Sequence, residues 1–142
     1  MFISENSTID IVIHYQKIRM HYLAYGDDEF KNADLTDEER KDFKSITVKM
    51  RQLTWGLYND LQEGAVDIDD EGNRRFNYKK YKELRLVRLI SGWDATNTDA
   101  EGKDVPVKVS EKMIKSLAPE IAETILSVYD RIMYLSEEEE KK

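Results

Sequence analysis

The chain has no cysteine, which removes a disulfide framework, a thiol nucleophile and a thiolate metal site together. A reducing, intracellular compartment fits that absence. Histidine is nearly as scarce, with His14 and His21 the only two. On a helix they would share a face but stand ~10 Å apart along its axis, too far for one ion. No acid follows either of them at the third or fourth position, so zinc has no ligand set. No apolar run approaches the roughly 18 residues that span a bilayer. The opening M-F-I-S-E-N-S-T carries neither the basic region nor the apolar core of a secretion signal. Positive charge is in deficit, with 22 Lys and Arg against 29 Asp and Glu, a net charge of −7. That balance argues against a nucleic-acid partner, whose phosphates call for a basic face. Phosphate-cradling glycine loops and a G-x-S-x-G elbow are also missing. No catalytic, cofactor-binding or metal-binding residue is therefore assigned, and an enzyme is not expected.

What the chain does contain is enough apolar material for one core. At 142 residues it has the length of a single domain, and its 40% hydrophobic content with eight tyrosines argues against disorder. The spacing of apolar residues predicts a central helix from Asn77, where Tyr81, Leu84 and Val87 are flanked by Leu86, Leu89 and Ile90. Asn77 is a cap, and Gly92 is placed to end the helix in the left-handed conformation, with Trp93 as an apolar anchor behind it. Thr36-Asp37-Glu38-Glu39 is a capping box, Thr54 and Ser110 are further caps, and Pro119 suits a first helical turn. From Pro119, Ile121, Ile125, Val128, Ile132 and Leu135 form one apolar stripe. Ile46, Val48 and Met50 alternate with Thr47, Lys49 and Arg51, as in a short strand or extended arm.

Residues 8–24 read two ways. Ile9, Ile11, Ile13 and Tyr15 alternate as in a strand, whereas Ile11, Tyr15, Ile18 and Tyr22 are spaced as in a helix. Residues from Gln16 onward favour helix by propensity, and helix is the reading preferred. The expected architecture is mainly α: a small single-domain helical fold with at most a short strand or extended arm. In it, residues 1–35 pack on a helical core of residues 36–135, and residues 136–142 form an acidic flexible tail.

Two loops imitate half of a calcium site. Asp67-x-Asp69-x-Glu71-Gly72 and Asn97-x-Asp99-x-Glu101-Gly102 have the alternating oxygens and the glycine, but their twelfth positions are Tyr78 and Lys108. They read better as turns in which an acid caps backbone N–H groups. The remaining candidates are for partner binding. Lys79, Lys82 and Arg85 lie in a basic cluster on the central helix that stands out in an acidic chain. The plain reading is a solvated face paired with nearby acids; the functional one is a docking face for an acidic segment. Trp55 and Trp93 are core by default, and either becomes an interface anchor if exposed; Tyr58, placed to staple against Leu53, is a further partner-binding candidate.

Two stretches carry a family resemblance. One is Met50-Arg51-Gln52-Leu53-Thr54-Trp55-Gly56. The other runs from Leu89-Ile90-Ser91-Gly92-Trp93-Asp94 to Val105-Pro106-Val107 and on to Leu117-Ala118-Pro119-Glu120. Together they resemble tail assembly chaperones of tailed bacteriophages, over roughly residues 45–134; related small proteins assist baseplate-hub assembly. Leu57 departs from the pattern, standing where relatives often have an acid, and the first 35 residues match nothing in it. The resemblance implies a small helical protein, free of catalysis. It would bind the tape-measure protein, shield its apolar face and recruit tail-tube subunits in the host cytoplasm, with homo-oligomers compatible. A permanent subunit of the tail, baseplate or connector is the alternative. The Ser136–Lys142 end reads as a solubilising tail, or, through the resemblance, as the place where a ribosomal frameshift adds a longer form. No membrane or nucleic-acid partner is expected.

Overall fold

The computed structural model describes residues 1–140, and the side chains of residues 1–134. Its organising element is an antiparallel sheet of four strands, so the fold is α+β and the expected mainly helical architecture is corrected. Strand β1 (Thr8–Ile18) and β2 (His21–Gly26) form a hairpin, β3 (Lys44–Arg51) pairs on the far side of β1, and β6 (Ile90–Trp93) pairs with β3. The order across the sheet is β2-β1-β3-β6. Residues 8–24, preferred as helix, are therefore two paired strands and the turn between them. The alternation of Ile9, Ile11 and Ile13 wins because β3 offers a matching apolar row, with Ile11 opposite Val48 and Ile13 opposite Ile46. Helix propensity after Gln16 is weak beside that pairing. The hairpin turn is Arg19-Met20, with Arg19 at φ 59°, a left-handed conformation usually given to glycine or asparagine.

The helices lie mostly on one face of this sheet. They are α3 (Trp55–Gly64), α4 (Tyr78–Leu89), α5 (Glu111–Lys115) and α6 (Pro119–Glu140). The expected caps are present: Thr54, Asn77 and Ser110 each accept a backbone N–H with the side chain, and Pro119 opens α6. The core joins Ile11, Ile13, Val48 and Met50 of the sheet to Leu61, Leu89, Ile125 and Tyr129 of the helices. Helix α4 is shorter than expected. It ends at Leu89 with Ile90 already extended (φ −69°, ψ 116°), and Gly92 is a strand residue rather than a left-handed cap. Between the pairs Met50–Ile90 and Val48–Trp93, β6 spends one residue more than β3. This bulge puts Ile90 and Trp93, three apart in sequence, on the same core-facing side.

The opposite face is half covered by α1 (Asp27–Asn32) and α2 (Asp37–Lys41), the latter opened by the Thr36–Glu39 capping box. Gly26, at the junction of β2 and α1, is held against α6. A Cβ there would stand 2.6 Å from Cγ2 of Val128. Valine has little rotameric freedom on a helix, so Gly26→Ala is expected to cost about 1–3 kcal/mol by overpacking, read as a lower denaturation midpoint. The cost should shrink in a Gly26→Ala/Val128→Ala double variant.

Two small ribbons, β4 (Val66–Ile68) with β5 (Arg74–Phe76) and β7 (Thr96–Thr98) with β8 (Asp104–Pro106), stand where polar loops were expected. Their turns are copies of each other. Asp69 Oδ1 accepts from the N–H groups of Glu71 and Asn73 at 3.0 and 2.8 Å, and Asp99 Oδ1 from those of Glu101 and Lys103 at 2.9 Å each. Gly72 and Gly102 supply the positive φ, 84° and 80°. The Asp69 carboxyl is held below its usual range chiefly by the Asn73 backbone N–H. These acids are turn-formers, and among the described residues no group of three or more potential ligands is placed to hold a metal ion. Helix α6 continues through Glu140, while the side chains of the expected acidic tail, and Lys141 and Lys142 altogether, lie outside the described residues.

Candidate functional site

The candidate residues fall in three places. Trp55 and Tyr58 lie one turn apart on α3, with their rings near parallel and 6.0 Å between centroids. Trp55 is 78% exposed, which by the criterion above makes it the interface candidate of the two tryptophans. Leu61 and Ala65 carry the buried side of this segment, so Trp55 and Tyr58 are left facing out. With Leu53, Met133 and Tyr134 they line a shallow hollow of about 320 Å³ whose walls are almost wholly apolar. Its base is fixed by the core. The hydroxyl of Tyr129 donates to the carbonyl of Arg51 at 2.9 Å, and the Gln52 N–H donates to the carbonyl of Ser7 at 3.1 Å. Thus the exit of β3, the start of α3 and the second half of α6 meet in one surface. Burial pushes the Tyr129 hydroxyl up to about 12, so it stays protonated and donating across the physiological range.

Lys79 and Lys82 lie on the wall of a different groove, between α4, α5 and α6. Lys79 is exposed, and Lys82 pairs with Glu123 at 2.6 Å. Arg85 does not belong with them. It is only 4% exposed, paired to Asp130 and held between the rings of Tyr81 and Tyr129. The docking role considered for Arg85 is corrected on that ground: its guanidinium is part of the core. Trp93 is half-buried, and its Nε1–H donates to the carbonyl of Val107 at 2.7 Å, so it is an anchor inside the fold.

A cluster that sequence reasoning missed lies on the second face of the sheet. His14 stacks on Phe30 at 4.1 Å, Phe30 meets Phe43 at 5.1 Å, and Tyr25 leans on both. His14 Nε2 is 2.8 Å from Asp27 Oδ1, while Lys31 takes the other oxygen at 3.0 Å. The His14 hydrogen bond, then the Lys31 one, hold the Asp27 carboxyl below its ordinary range. Only the strand register brings His14 opposite Tyr25, and no short-range pattern announces that pairing. Phe30, stacked on His14, also meets Phe43 and the Arg40 guanidinium, so the cluster ties α1 and α2 to the sheet. His21, by contrast, is exposed and lies 3.3 Å from Glu120.

Among the described residues no helix is long and apolar enough to cross a membrane. Set against models of known families, against curated proteins and against solved structures, the chain matches none.

Proposed function

We propose that this chain is a non-catalytic adaptor that docks an apolar helical segment of another protein on the Trp55–Tyr58–Tyr134 surface. The partner we propose is the tape-measure protein of a tailed bacteriophage, with the chain acting as a tail assembly chaperone in the host cytoplasm. The exposure of Trp55 carries the reading. Tryptophan is on average among the more buried residues, and one left 78% exposed on an ordered helix, stacked on Tyr58 beside Leu53 and Met133, is the usual composition of an interface hot spot. A shallow apolar hollow between two helices suits the apolar stripe of a third. The choice of partner comes from the resemblance, since Trp55 belongs to the L-T-W-G stretch that carries it. The helical body that the resemblance implied is not part of the support, because the body is α+β.

The test is co-expression with the tape-measure protein encoded in the same genome, followed by co-purification and titration. Wild type is expected to form the complex. Trp55→Ala/Tyr58→Ala should weaken it roughly thirtyfold or more, the loss of about 2 kcal/mol or more that one hot spot carries. Unchanged affinity in the double variant would contradict the reading. Recovery of the protein in purified virions would favour a permanent tail subunit over a chaperone.

A further inference from the structure

We propose that the groove between α4, α5 and α6 is a second docking site, whose occupant is an acidic amphipathic helix of another protein. No residue that lines this groove lines the Trp55 hollow, so the two surfaces are separate. The groove encloses about 440 Å³. Its floor is apolar, made by Leu86, Ile114 and Leu126, each under 8% exposed, with half-buried Leu117 beside them.

The rim sets the sign of the guest. Lys79, Lys82 and Lys115 line it, together with Glu83 and Glu123. Both glutamates are already engaged, Glu123 by Lys82 at 2.6 Å and Glu83 by Lys115 at 3.3 Å. Lys79 has no ion-pair partner among the described residues, so its ammonium is the one rim cation left uncommitted, while Lys82 and Lys115 are paired. An ammonium has three N–H donors. Lys115 already serves two carboxylates, Glu83 and Glu111, whereas Lys82 serves one and Lys79 none. The rim therefore has donors to offer to incoming carboxylates without breaking its own pairs. The lysine stems extend the apolar floor upward while their charged ends stay in water.

The walls set the backbone form of the guest. All three are helices, whose peptide groups are hydrogen-bonded within themselves, and no strand edge lines the groove. An extended guest would bury N–H and C=O groups without partners, at a cost it could not recover there. A helix satisfies its own backbone and needs only an apolar stripe for the floor and acids on its flanks.

The experiment uses fluorescence anisotropy with a labelled synthetic helix of about five turns, carrying a leucine stripe flanked by glutamates, and a twin with lysine for every glutamate. The glutamate peptide is expected to bind the full chain at least tenfold more tightly than its twin. Its binding should weaken with added salt and should fall severalfold to tenfold in Lys79→Glu, an exposed change that leaves the fold intact by circular dichroism. Trp55→Ala should leave this binding unchanged, which separates failure here from failure of the adaptor reading. Equal binding of the two peptides, or no effect of Lys79→Glu, would overturn the proposal. So would loss of binding in Trp55→Ala, which would move the guest to the other surface. Self-association of the wild type in sedimentation that Lys79→Glu disperses would make a second copy the occupant and equally overturn it.

Discussion

Asp130→Ala is expected to be among the most damaging single substitutions in the protein, lowering stability by about 3 kcal/mol. Removing one partner of a buried ion pair typically costs about 3–5 kcal/mol, because the other charge is left uncompensated. Here that other charge is Arg85, 4% exposed, with Nη1 3.4 Å from Asp130 Oδ2 and Nη2 bonded to Oδ1. Tyr81 and Tyr129 hold the guanidinium at 5.3 and 5.8 Å from their ring centres and keep it from turning toward solvent. Asp130 itself is 41% exposed, which places the cost at the lower end of the range. Arg85→Met makes the comparison informative. It removes the buried charge, keeps an unbranched apolar stem between the two rings, and leaves an aspartate that water can reach. It should cost less than Asp130→Ala. Urea denaturation of the two variants measures the order, and a reversed order would mean that Arg85 is held by packing rather than by its charge partner.

Trp93→Ala is the second large effect, again about 3 kcal/mol, the low end for a tryptophan truncated in a core. The ring bridges the sheet to the segment that leads into α5 and α6, lining one cavity with Tyr15, Ile46, Val107, Met113 and Ile121. Its indole N–H also satisfies the carbonyl of Val107 at 2.7 Å. Trp93→Phe keeps an aromatic ring but loses the donor, and should cost about 1–1.5 kcal/mol for the hydrogen bond alone plus a smaller packing loss. Denaturant midpoints of the two variants check this. A Trp93→Ala variant as stable as wild type would mean that the bulge in β6 does not seat the ring in the core.

The parts of this fold that short-range chemistry dictates were legible in the chain. Thr36 with Glu39, Thr54, Asn77 and Ser110 cap the helices that follow them, and Ile46, Val48 and Met50 alternate along a real strand. What local pattern did not convey was pairing at a distance. Ile11 takes its partner Val48 from 37 positions away, and the turn that closes β1 on β2 uses Arg19 where the usual signal is glycine or asparagine. Helix α4 passes into β6 without a breaking residue, so Gly92 drew the helix end three residues too late. The candidate surface was legible in part. Trp55 and Tyr58 were named, but only packing reveals that Leu61 and Ala65 carry the buried side of α3 and leave both rings outside. Arg85 was readable from spacing alone. It falls midway between Tyr81 and Leu89 on the apolar stripe, and a charge in that position belongs to the core side of the helix.

The proposed adaptor role requires Trp55 to be open in the free protein and covered in the complex. Acrylamide quenching of the two native tryptophans measures this without any substitution. In the free protein two populations are expected, an accessible one from Trp55 and a protected one from Trp93. On saturation with a tape-measure segment that contains no tryptophan, the accessible population should disappear. If Trp55 stays as open to quencher in the complex as in the free protein, the aromatic surface is not the docking surface and the proposed function fails with it.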